Sequence, residues 1–134
     1  EEPALALHYV GHVNGLKREA SVREHVCYWA GLFGAPGYKQ SIGLAAFGLI
    51  KQADLSVRVL SQGQARRLAL MRLHISQRPI WLLDEPAAAL DADGREMLGE
   101  LIESHCLAGG IVIAAVHEPL GPKPSLAISI GTAL

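Results

Sequence analysis

Ile80-Trp81-Leu82-Leu83 and Ile111-Val112-Ile113-Ala114-Ala115-Val116 are short runs without a hydrophilic residue. Unbroken apolar runs of this length predict strands buried on both faces, as in a parallel sheet. Ala4 to Val10 predicts a strand close to the first residue, and Leu126-Ala127-Ile128-Ser129-Ile130 a last strand at the sheet's edge. Between these runs the period changes. Val22, Val26, Trp29, Ala30 and Phe33 recur at helical spacing, with Ser21 as N-cap, Glu24 completing a capping box and Gly34-Ala35-Pro36-Gly37 as the stop. Ile42 to Ile50 predicts a second helix, weakened by Gly43 and Gly48, and Asp54 to Val59 a linker. Gly63 to Ile75 predicts a third, with Leu68, Met71 and Ile75 as its apolar stripe. Asp91-Ala92-Asp93-Gly94 opens a fourth that runs to about Cys106, with Met97, Leu98, Leu101 and Ile102 inward and Gly109-Gly110 as its stop. Strands alternating with helices predict an α/β fold, a mostly parallel sheet flanked by helices.

The composition narrows this reading. At 134 residues, 50% hydrophobic and 19% charged, the chain is long and apolar enough for one domain with its own core. A formal net charge of -1 gives no electrostatic case for a nucleic-acid partner. Cys27 and Cys106 are far apart and indicate no disulfide framework, which fits a reducing compartment. The apolar runs are too short to span a bilayer, and no charged-then-apolar leader opens the sequence. The expectation is a soluble protein able to sit on a membrane partner. No internal repeat appears.

The chemistry gathers at two places. In Leu60-Ser61-Gln62-Gly63-Gln64, Ser61 caps the third helix and Gln64 completes the box. A helix opening this way aims N–H groups and a positive dipole end at whatever lies in front, which suits a phosphate. In Ile80-Trp81-Leu82-Leu83-Asp84-Glu85-Pro86, an apolar strand ends in two adjacent carboxylates, where open α/β sheets bind ligands. Asp84 suits Mg²⁺, and Glu85 suits orienting or deprotonating a water. His117, just beyond the second apolar run, suits a γ-phosphate contact. Arg66 and Arg67 read as a solvated face or packing partners, not phosphate ligands. His8 and His12 straddle the end of the first strand and do not read as a metal pair.

These residues carry a family resemblance. Leu60 to Gln64 resembles the signature motif of ABC-transporter ATPases, Leu82-Leu83-Asp84-Glu85-Pro86 their Walker B motif, Ala89-Leu90-Asp91 their D-loop, and His117 their switch histidine. Gly11-His12-Val13-Asn14-Gly15-Leu16-Lys17 resembles the Q-loop, and its Gly-His-x-x-Gly opening resembles the branch that serves as haem-exporter ATPase in cytochrome c maturation. That branch has glutamine where this chain has Val13, which can neither ligate Mg²⁺ nor bond a water, while Asn14 offers a shorter amide one residue on. The resemblance implies a P-loop NTPase fold of the ABC ATPase type, seen as its C-terminal part, with a sheet flanked by helices plus a helical signature subdomain. Residues 1–14 and 76–134 would belong to the catalytic core, and about 15–75 to the helical subdomain that docks on membrane transporter subunits. No G-x-x-x-x-G-K-[ST] segment occurs, so the chain alone is expected to bind ATP poorly or not at all. The resemblance also implies ATP and Mg²⁺, with Asp84 holding the metal through water and Glu85 and His117 catalytic. Ser61, Gln62, Gly63 and Gln64 would face ATP held by a second ATPase subunit, and Asp91 would cross that head-to-tail dimer interface. The implied location is the cytoplasmic face of the cell membrane, peripherally bound. Two alternatives stay open: an ABC ATPase of another branch, and a degenerate module that docks without hydrolysing.

Overall fold

A computed structural model describes residues 6–131. Three parallel strands, β1 (Leu7–Val10), β2 (Ile80–Asp84) and β3 (Ile111–Ala115), lie in that order with β2 central. Leu7 pairs with Ile80 and Val10 with Leu83, while Ile80 pairs with Ile111 and Asp84 with Ala115. Ala4 and Leu5, expected to open β1, lie outside the described residues.

The helices are α1 (Val22–Leu32), α2 (Gln40–Ala46), α3 (Gln62–Ile75) and α4 (Ala92–Leu107). Both expected capping boxes form: the Ser21 hydroxyl accepts from the Glu24 amide, and the Ser61 hydroxyl from the Gln64 amide. α2 begins and ends earlier than expected, because Phe47 turns into the core and Gly48 takes φ +67°. The expected linker is more ordered than it looked. Ser56 forms an antiparallel bridge with Ser21, and Val57–Val59 is a short 3-10 turn, so this segment is tied to the start of α1.

α1 packs on the core through a layer of rings and cations. The Arg72 guanidinium lies 4.9 Å from the Trp29 ring and that of Arg78 4.8 Å from the Phe33 ring. His8 meets Phe33 edge-on and donates from Nε2 to the Ser76 carbonyl at 3.0 Å. Burial pushes the His8 imidazole down to about 4, against the opposing pull of its Ser76 bond and with help from Arg78 and Arg72.

The strands were expected to be buried on both faces, and the structure corrects this. His8, Val10, Trp81 and Leu83 are buried beneath the helices, whereas on the opposite face Tyr9, Ile111 and Ile113 are 57%, 54% and 60% exposed. The described residues supply helices to one face only. The expected strand at Leu126–Ile130 is also corrected: these residues form no ladder, and Leu126, Ile128 and Ile130 are exposed. An apolar run becomes a strand only where a neighbour offers unpaired backbone groups in register, and the sheet order ends at β3. Among the described residues no helix is long and apolar enough to cross a membrane.

Candidate functional site

The parallel register brings the carboxyl ends of all three strands to one edge. Gly11 to Gly15 leave β1 there, Asp84 and Glu85 close β2, and His117 follows β3. Glu85 turns the chain sharply, with φ +48°, and its amide donates to the Ala115 carbonyl at 2.9 Å. A non-glycine residue in this region costs roughly 1–2 kcal/mol, so surrounding contacts must hold it there. The turn aims the Glu85 carboxylate at His117, whose Nε2 lies 3.0 Å from Oε1. The two residues expected to be catalytic thus meet directly. The His117 ring is almost wholly exposed, whereas Glu85 is mostly covered. Asp84 is half-buried at the end of β2.

The opening of α3 sits beside this edge. Ser61 and Gln64 bond each other reciprocally, with the Ser61 amide donating to Gln64 Oε1 at 2.9 Å and the Gln64 amide to the Ser61 hydroxyl at 3.1 Å. Gln64's side-chain oxygen is therefore engaged within its own helix turn, while Gln62 is exposed. Gly63 needs its missing side chain: a Cβ there would stand 3.1 Å from the Ala89 carbonyl oxygen. Ala89 itself has φ +65°, a second left-handed position in the same loop.

Asp91 serves two partners within the chain. Its Oδ1 accepts from the Gly94 amide at 2.8 Å, capping α4, and from Arg67 Nη2 at 2.9 Å. These two bonds, the amide first, hold its carboxyl below the usual carboxylate range. Arg67 also donates to the Phe47 carbonyl, and so bridges α2, α3 and the loop before α4.

Arg66 is the residue that sequence reasoning undervalued. It is 2% exposed, not part of a solvated face. Its guanidinium donates to the carbonyls of Gly11 at 2.9 Å, Asp84 at 3.1 Å, Glu85 at 2.9 Å and Pro86 at 3.3 Å, and to Asn14 Oδ1 at 2.9 Å. Burial lowers its proton affinity, partly offset by the nearby Asp84 charge. Nothing in the sequence names backbone carbonyls as partners; an arginine one turn behind the Ser61 cap was the only signal. Asn14 is held from both ends, because Arg72 Nη2 donates to its carbonyl at 2.6 Å. Its side-chain oxygen is thereby occupied, while Val13 is 80% exposed.

Among the described residues no three His, Cys, Asp or Glu side chains cluster tightly enough to hold a metal by themselves. Asp84, half-buried at the end of β2, is a carboxylate that could serve a hard cation whose shell phosphates and water complete.

Comparison with known proteins shows the family and the fold. Residues 2–88 match the model of the family described as ABC transporter. The chain is 45% identical over 114 residues to the cytochrome c biogenesis ATP-binding export protein CcmA of Rhodopseudomonas palustris (strain BisB5), covering 85% of this chain and 57% of that protein. It is 40% identical over 130 residues to the CcmA protein of Chelativorans sp. (strain BNC1), covering 97% and 64%. The chain therefore spans about three fifths of the length of these curated relatives. A putative ABC transporter ATP-binding protein from Pyrococcus furiosus superposes with a TM-score of 0.74 at 22% identity, over 87% of this chain and 60% of that one. An ATP-binding subunit of an ABC transporter superposes with a TM-score of 0.71 at 19% identity, over 84% and 49%. These likenesses carry the fold.

Proposed function

The chain belongs to the ABC transporter family, and from that premise we propose that it is part of an ATP-hydrolysing subunit of an ABC exporter, of the kind that serves cytochrome c biogenesis. The observation that carries this is the Glu85–His117 pair at 3.0 Å, at the carboxyl end of a parallel sheet beside the capped start of α3. Catalysis in such a site is positioning and charge stabilisation, with water as nucleophile. Glu85 orients the attacking water and takes its proton at the carboxylate. His117 fixes that carboxylate and offers its ring to the γ-phosphate. Asp84 would hold Mg²⁺, which would neutralise phosphate charge. Ser61, Gln62, Gly63 and Gln64 face ATP held by a second subunit, and Asp91 reaches toward the same interface. Residues 15–75 form the partner-facing subdomain, and integral membrane subunits anchor the protein peripherally at the cytoplasmic face. The relatives' description as cytochrome c biogenesis ATP-binding export proteins supports this reading, and the proposed assembly is the haem exporter of cytochrome c maturation.

Phosphate release and nucleotide trapping test this. The 134-residue chain alone should release no phosphate steadily, and joined to a phosphate-loop segment it should hydrolyse ATP. In the joined protein Glu85→Gln should trap nucleotide and hold the dimer closed; turnover at the parent rate would remove Glu85 from its role. Val13→Gln should speed the joined enzyme about tenfold to a hundredfold, the worth of a hydrogen bond to a charged group. Asn14 does not fill that role while Arg66 holds its oxygen. A rate that collapses in Asn14→Ala and ignores Val13→Gln would reverse this assignment.

A further inference from the structure

We propose that Arg66 is a positioning residue for Glu85: one guanidinium holds the left-handed turn after β2 and ties it to the loop after β1. Consecutive carbonyls along a strand point in alternating directions. Those of Asp84, Glu85 and Pro86 nevertheless converge on Arg66, at 3.1, 2.9 and 3.3 Å. They can do so only because the backbone turns at Glu85, where φ is +48°. That conformation is unfavourable for a glutamate, and among the described residues Arg66 bonds carbonyls and Asn14, not a carboxylate. The planar fork of donors supplies the compensation, buried where water cannot compete. A lysine offers donors from a single point and cannot span the same set of acceptors.

The remaining donor capacity reaches the loop. Arg66 Nη1 lies 2.9 Å from both the Gly11 carbonyl and Asn14 Oδ1, and Arg72 on the same helix holds the Asn14 carbonyl. α3 therefore carries Ser61 to Gln64 at its first turn and the clamp just behind. A shift of the loop against α3 is felt by the turn that aims Glu85 at His117. This assignment rests on Glu85 as the base of the proposed reaction. Its test reads backbone order without nucleotide, so the clamp and the hydrolytic role stand or fall separately.

The test is residue-resolved amide hydrogen exchange together with backbone order parameters, both by NMR on the chain. Arg66→Lys should speed exchange at Glu85 and Ala88, whose amides donate to the Ala115 and Glu85 carbonyls, by about tenfold to a hundredfold relative to α4, and should lower the order parameters of residues 11–15. Adding Glu85→Asn, a residue at ease in left-handed backbone, should restore protection at positions 85 and 88 and leave the order of 11–15 low. Asn14→Ala should lower the order of 11–15 alone. Uniform acceleration across the chain, or no recovery at positions 85 and 88 on adding Glu85→Asn, overturns the proposal. If Arg66→Lys does not fold, restoration of folding by Glu85→Asn supports the clamp and continued unfolding overturns it.

Discussion

The two faces of the sheet share three strands and differ in nearly everything else. Beneath the helices, Val10, Trp81 and Leu83 are buried with His8 among them, and Trp29 and Phe33 press down between Arg72 and Arg78. On the other face Tyr9, Ile111 and Ile113 stand open. The side chains of the two faces are equally apolar, so hydrophobicity did not decide which would be covered. Helices did: His105 of α4 stacks on Trp81, and Phe33 at the end of α1 meets His8, both on the covered face. The open face is as apolar as a core and is left without one by the described part of the chain. Since the chain spans about three fifths of its curated relatives, 57% of one and 64% of another, a longer protein has material to lay there.

The contrast is best attacked first where it is largest. Leu83→Ala removes a fully packed side chain and should cost about 2–5 kcal/mol, whereas Ile113→Ala on the open face should cost less than about 1 kcal/mol. Urea midpoints for the two variants measure the difference; equal losses would mean that the open face is covered in solution. The next effect belongs to the covered face and to pH. His8 is held neutral in the fold, with its pKa pushed down from 6.5 to about 4. Between these values the unfolded chain binds more protons, so stability is whole above about pH 6.5 and falls by at most about 3 kcal/mol as pH drops toward 4. His8→Asn should flatten that slope in a pH series of denaturant midpoints, and an unchanged slope would clear His8 of responsibility. The smallest effect sharpens the comparison in the other direction. In the protein joined to a phosphate-loop segment, Ile113→Ala should cost about 1–2 kcal/mol more than in the chain alone, as apolar area on the open face is covered. No increase would show that the added segment packs elsewhere.

What the sequence conveyed follows the range of each interaction. Caps are local: Ser21 with Glu24 and Ser61 with Gln64 are three residues apart, and both form as expected. The strand ends were legible because parallel strands of fixed polarity deliver their termini to one edge, whereas the direct Glu85–His117 contact is shown by the structure alone. Short 3-10 turns such as Val57–Val59 carry no periodicity to detect. Arg66 was legible only as a packing partner in general terms, because its partners are mostly carbonyl oxygens, which every residue possesses and which therefore leave no mark in the sequence. Leu126 to Ile130 failed for the opposite reason: its own pattern suits a strand, but a strand is a relation to a neighbour. Asp91 was expected to reach outward, and within the chain it already holds Arg67 and caps α4.

The pairing of β1 with β2 also sets an order of assembly. Arg78 donates to the Leu7 carbonyl across a separation of 71 positions, and three of the four helices lie in that interval. β2 and β3 are joined through α4 alone. Closing the shorter loop costs less chain entropy, so the β2–α4–β3 unit is expected to nucleate early. β1 then docks last, after α1, α2 and α3 have folded enough to shorten the effective tether. The loop that Arg66 grips would therefore be the final piece to arrive, and the geometry around Glu85 would be completed only as folding itself finishes.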